Sequence, residues 1–401
     1  TMLEVLNIVD GEVLTHPLCL LRVTGNPEDA NIAKITNIND NNSNETICSV
    51  NINGFNALIL LIVGNNSLKI VCGNEELMIN VKYEPDTNPR YVRLVYITCL
   101  NEEKFQGPKD IDRNVNSAIK RIRTGMLLLQ TFLAETLQAE GLRRRTFRLE
   151  MDKEGNPVVH VLQLPLTICE AQKISEENLW EAVALQILSS YLADKKCKYV
   201  AFFNGTRFSN PEKRVLNGEI EIMKHVKGQI SLGGGGLALV GTGALYTWAS
   251  NISEIIKSLM NKTSVDTNIL MDFSGGRGTW GACYGTHLGS VMHELGHAMD
   301  LGHTPHGIMA RGFEDLHIFF TSPKIVADNS TESPYHKSTM KQSTSSSLIK
   351  DSVTFTMDFV PRFPENSIMT VQPPKEPLAS CGIYSTSYKY NSNPSAPKTT
   401  Q

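Results

Sequence analysis

One stretch limits what this chain can become more than any other: "VMHELGHAMDLGHTPHGIM", residues 291–309. In a helix, residues i and i+4 share a face about one turn apart. His293 and His297 therefore aim two imidazoles at one point outside the helix, and Glu294 overhangs that point without ligating it. Two imidazoles beside one carboxylate suit a metal ion and a base that acts on water next to it. Keeping one coordination position open for water calls for a third protein ligand. His303 supplies it only if the helix stops near residue 300 and the chain doubles back through Asp300-Leu301-Gly302-His303.

The local pattern predicts a helix over 287–299 capped by Thr286, with Leu288, Val291, Met292, Leu295 and Ala298 as its apolar positions. Six of the ten histidines lie between His287 and His317, which weighs against a chance pentapeptide. Two other sources of the third ligand stay open. Asp300 shares a helical face with His293 and His297, so one further helical turn would bring its carboxylate to the metal and swing His303 away. A downstream carboxylate, Glu314 or Asp315, is the second. His287 reads as a packing or polar surface residue of the same helix, and His306 as an exposed loop residue.

Upstream, residues 1–90 alternate short apolar runs with Asn, Gly and Asp, as in "CLLRVTGN" and "FNALILLIVGNN". That punctuation predicts a small all-β unit. After a strand at "RYVRLVYITCL", Val115, Ile119, Ile122, Met126, Leu129, Leu133 and Leu137 recur every three or four residues, one face of a long helix that Asp112 can cap and Gly141 can end. "RTFRLEMD" and "PVVHVLQL" follow as a strand pair, so strand, helix and strand form a crossover unit. Ser175 caps a second helix. "GQISLGGGGLALVGTGALYTWASNIS", residues 228–253, carries no charge and is long enough to cross a bilayer, but its crowded glycines favour a buried or edge strand with a bend. Beyond Phe320 the chain turns to Ser, Thr, Pro, Lys and Asn, with nine of eighteen prolines in 321–401, and reads as largely disordered apart from a strand at "SVTFTMDFV".

The stretches "LGGGGLALVGTGALYTW", "RGTWGACYGTHLGSVMHELGH", "LGHTPHGIM" and "RGFEDLHIFF" resemble the metzincin zinc proteases, whose pattern is HExxHxxGxxH followed by a methionine-containing turn. Within them, the chain looks most like a zinc metalloproteinase family of fungi and animals. The resemblance implies one zinc ion held by His293, His297 and His303, Glu294 as general base, and Met309 as the methionine beneath the metal. It also implies an edge strand, here the Gly-rich segment, that pairs with substrate backbone. Asp300 departs from the pattern, in which glycine serves a bend with positive φ. Aspartate visits that region at a cost of about 1–2 kcal/mol. Zinc binding contributes roughly 10–16 kcal/mol in small structural sites, so the departure weakens the HExxHxxxxxH site modestly.

The fold class expected is therefore α+β: a metzincin-like zinc protease domain over 91–320, built of a mixed twisted sheet, long helices and an active-site helix. A β-rich N-terminal unit over 1–90 precedes it, and the tail, 321–401, follows. The activity implied is zinc-dependent hydrolysis of peptide bonds, by an endopeptidase acting on a peptide or protein. The alternative is a catalytically impaired pseudoprotease or a binding module that uses the β unit. A net charge of −3 gives no electrostatic footprint for nucleic acid. The eight scattered cysteines have no metal-ligand spacing, and "TMLEVLNIVDGEVLTHP" lacks the pattern of a secretory leader, so a cytoplasmic location is expected.

Overall fold

The computed structural model describes residues 2–322 apart from 26–29, 42–44, 213–218, 229 and 311. The tail read as disordered, including "SVTFTMDFV", lies outside the described residues from 323 onward. Among those described, no helix is long and apolar enough to cross a membrane.

The first eight strands are β1 (Glu4–Val5), β2 (Glu12–Leu14), β3 (Leu18–Thr24), β4 (Ile32–Asn37), β5 (Thr46–Ser49), β6 (Phe55–Leu60), β7 (Gly64–Cys72) and β8 (Glu75–Tyr83). They form an antiparallel sheet β1-β3-β6 and a five-stranded sheet β2-β8-β7-β4-β5. In the larger sheet the burial of β7 and β8 alternates along each strand, one side to the core and one to solvent, as an antiparallel sheet with one wet face requires. β3 behaves differently. Cys19, Leu21 and Val23 face the core between these two sheets, whereas Leu18 and Leu20, with Leu58 of β6, face a second core shared with the rest of the chain. Its first four residues, "LCLL", are apolar without a break because both of its faces are covered.

The second sheet system is built from β9 (Tyr91–Thr98), β10 (Val159–Gln163), β11 (Cys197–Phe203), β14 (Ser231–Gly234) and β15 (Leu237–Gly241), in the order β10-β9-β11-β15-β14. β10, β9, β11 and β15 are mutually parallel, and β14 closes one edge antiparallel to β15. A short ribbon, β12 (Arg207–Phe208) with β13 (Val226–Lys227), stands apart. Between β9 and β10 runs α1 (Val115–Ala139), the expected crossover. Its cap is Asn114, whose side chain accepts from Ser117 N at 2.8 Å, and not Asp112; Gly141 does follow its end, at φ 76°. Of the expected strand pair, "PVVHVLQL" forms β10, which pairs with β9, while "RTFRLEMD" is reduced to isolated bridges, Val92 with Leu149 and Met151 with Pro157.

Alternate residues of these strands feed two layers. Leu94, Tyr96, Val200, Phe202, Ala238 and Val240 point to α1 and the metal-motif helix. Val95, Ile97, Ala201, Phe203, Leu237 and Leu239 point to α3 (Glu176–Leu188), which follows the short α2 (Ile168–Ala171) and is capped by Ser175 as expected. The charge-free Gly-rich segment is the hairpin β14–β15, turned at Gly235-Gly236 with φ 52° and 94°. The remaining helices are α4 (Glu219–Lys224), α5 (Ile255–Leu259), α6 (Trp280–Ala298) and α7 (Leu316–Thr321), so the architecture is α+β.

The smaller N-terminal sheet is tied to this body by polar bonds as well as by its shared core. Buried Arg22 donates to the carbonyls of Ser322 and Phe319, and Asn56 to those of Phe320 and Ser322, so β3 and β6 satisfy the open carbonyls at the end of α7. Thr131 of α1 donates to Leu18 O at 2.7 Å. Arg144 bridges Glu135 of α1 and Glu12 of β2.

Candidate metal centre

The metal-motif helix is longer than its sequence suggests. α6 begins at Trp280, where the Thr279 hydroxyl accepts from Ala282 N, and Thr286 lies inside it. The first two turns hold Gly281 and Gly285, poor helix formers that masked them. Packing explains both: a Cβ on Gly281 would sit 2.2 Å from Leu259 O, and one on Gly285 2.7 Å from His317 Cβ. The Thr286 hydroxyl instead accepts from Arg277, which also donates to the carbonyls of Ser274 and Glu314. Arg277 thereby ties the loops on either side of the motif to the helix.

At its other end α6 stops where the ligand pattern needs it to. Asp300 has φ 66°, the one non-glycine residue with positive φ among those described. Its N–H donates to His297 O and that of Leu301 to Gly296 O, both at 3.0 Å, a Schellman closure with aspartate in the glycine position. The carboxylate turns away from the histidines to Lys198 Nζ, 3.6 Å off.

The reversed chain then orients the rings. His297 Nδ1 donates to Leu301 O at 2.8 Å, and His293 Nδ1 to Ile308 O at 2.7 Å. With Nδ1 carrying the proton in both rings, each Nε2 presents a lone pair. The Nε2 of His297 lies 3.0 Å from that of His293 and 3.2 Å from that of His303. Nitrogens bound to one tetrahedral zinc at about 2.05 Å stand about 3.3 Å apart. Lone pairs this close repel one another unless a cation lies among them, so the donor set fits such an ion. His293 is buried, His297 half-buried and His303 exposed, so the cluster opens to solvent at one side.

Met309 is buried, and its sulfur occupies the space a Cβ on Gly296 would need. Glu294 is also buried, and its Oε1 accepts a hydrogen bond of 2.8 Å from the Ser231 hydroxyl on β14. No spacing in the sequence connects residues 231 and 294, and the role of Ser231 was not readable there.

The rival donors lie elsewhere. Asp300 is outside the histidine cluster, as is Glu314, whose side chain stands beside Gly275; the side chain of Asp315 is outside the described residues. His306 is exposed, as expected. His287 is a core residue, its ring against Trp248 and Phe273, with Nε2 2.9 Å from Gly241 O. Burial pushes its pKa down to about 4, despite the opposing Gly241 carbonyl.

A family model described as "Putative peptidase family" matches residues 2–380. A protein of Saccharomyces cerevisiae named "putative zinc metalloproteinase" is 26% identical over 367 residues, covering 82% of this chain and 51% of its own length. A protein of the same description from Schizosaccharomyces pombe is 22% identical, covering 67% of this chain and 45% of its own. The chain thus spans about half the length of these relatives. Among solved structures, OgpA from Akkermansia muciniphila, crystallised with an O-glycopeptide substrate, is 19% identical over 59% of this chain and 57% of its own, with a TM-score of 0.38. A likeness that low carries no argument.

Proposed function

The chain belongs to the family described as "Putative peptidase family", and from that premise we propose that it is a zinc-dependent metalloendopeptidase of metzincin type. In this reading His293, His297 and His303 hold one zinc ion, Glu294 is the general base, and Met309 forms the floor of the site. The observation that carries it is the convergence of three imidazole Nε2 atoms, two of them with Nδ1 bound to the backbone.

Lewis acidity toward the scissile carbonyl and toward water is what zinc supplies when bound. The chain's own groups do the rest. The carbonyls of Leu301 and Ile308 hold their imidazoles in one tautomer and one direction, so no reorganisation is needed when the ion enters. Glu294, next in sequence to one ligand, takes the proton of the attacking water and passes it to the leaving amine. Asp300 keeps the helix end closed and takes no part in ligation. Residues 91–320 carry the chemistry, residues 1–90 its supporting wall, and the substrate is a peptide or protein.

The test is metal analysis of the purified chain and its E294Q variant, with both assayed on a proteome-derived peptide library. We expect close to one zinc per chain in each, and a loss of cleavage of about 10²–10⁴-fold in E294Q. A zinc-free protein, or a variant that cleaves like the parent, would refute the proposal. A zinc-loaded parent that cleaves nothing would favour a pseudoprotease.

A further inference from the structure

We infer that Ser231 is a positioning residue for the base: its hydroxyl fixes one oxygen of Glu294 and leaves the other to receive the proton. This inference rests on the peptidase reading above and adds a residue to it.

Three observations support it. The Ser231 hydroxyl donates to Glu294 Oε1 at 2.8 Å, the length of a well-formed bond to a carboxylate. Glu294 is buried, so few alternative donors compete for that oxygen. Ser231 also reaches the helix by a built approach. Residues i and i+2 of a strand share a face, and two residues on, Gly233 lies so close to α6 that a Cβ there would be 2.1 Å from Glu294 O. The absent side chain at Gly233 is what lets β14 lie against the helix at Glu294. β14 is itself held in register by β15, Ser231 opposite Val240, a fully buried residue.

The chemical consequence concerns which oxygen works. With Oε1 engaged by a donor, rotation of the carboxylate about its last bond is restrained. The proton leaving the attacking water goes to Oε2, and the Ser231 proton stays on its own oxygen throughout. A base free to rotate would spend part of its time misaligned, which lowers turnover more than substrate binding.

The experiment compares the parent, S231A, S231T and E294Q for bound zinc, thermal unfolding, kcat and KM on the best-cleaved library peptide. A hydrogen bond to a charged group is strong enough that its loss should lower kcat about tenfold or more. We expect that fall in S231A with zinc content, melting and KM unchanged, and recovery to within about threefold of the parent in S231T, which keeps the hydroxyl. A fall in kcat below about threefold, an effect on KM alone, loss of zinc in S231A, or no recovery in S231T would overturn the inference. If instead E294Q cleaves like the parent, the peptidase reading itself fails, and the two failures are told apart.

Discussion

Replacing Asp300 by glycine and, separately, by alanine gives opposite signs for two descriptions of the chain after His297. If the helix ends as found, the residue at 300 must hold φ 66°. An L side chain there costs about 1–2 kcal/mol, and glycine avoids that cost. If the helix instead ran on and made Asp300 a ligand, alanine would be preferred to glycine by about 1 kcal/mol. The ion pair with Lys198 does not confuse the comparison. At 3.6 Å and with the aspartate side chain 66% exposed, it contributes at most about 1 kcal/mol, and both variants lose it. D300G should lie within about 1 kcal/mol of the parent, because relief of the backbone is offset by the greater freedom of glycine in the unfolded chain, roughly 0.5–1 kcal/mol. D300A should be about 0.5–1 kcal/mol less stable than D300G, the strain of alanine less the same freedom of glycine. Equilibrium urea unfolding of the zinc-depleted chain measures both, and metal analysis should find full zinc in each when it is resupplied. A D300A more stable than D300G, or zinc lost from both, would refute the closure described here.

Two further expectations follow from packing and burial. Gly233→Ala places a methyl 2.1 Å from Glu294 O, so β14 must retreat by more than about 1 Å; overpacking of this kind costs about 1–3 kcal/mol and should suppress cleavage, and a variant that melts and cleaves like the parent would contradict the contact. For His287 the folded pKa is about 4, below its ordinary 6.5, so the folded chain binds fewer protons than the unfolded chain between those values. The stability it lends is complete above pH 6.5 and is lost, by about 3 kcal/mol, as the pH falls toward 4. H287Q, which cannot titrate, should show a loss between pH 7 and pH 4 smaller by that amount in urea melts, and equal losses would exclude His287 as the source.

What could be read from the chain, and what could not, divides along physical lines. His293, Glu294 and His297 were legible because a helix turns a spacing of four into a shared face. The chain reversal at Asp300 that brings His303 to these rings was one of three arrangements the sequence left open, because a helix running one turn further would have suited Asp300 as well. The first two turns of α6 were not legible, since Gly281 and Gly285 argue against a helix locally and are justified only by Leu259 and His317 packed on them. The cap of α1 went to Asn114 and not Asp112, a shift of the kind helix ends often show. Ser231 was invisible for a different reason: its partner is sixty-three positions away, and only the approach of one strand to one helix brings them together.

The bonds from Arg22 and Asn56 to the last carbonyls of α7 join positions up to 300 apart in the chain. During synthesis, the side chains of Arg22 and Asn56 therefore wait for these acceptors until residue 322 has left the ribosome. A fragment cut before residue 319 would strand a sequestered guanidinium without these two acceptors, and a foreign module grafted in place of the first ninety residues would take from α7 the donors its last carbonyls end on.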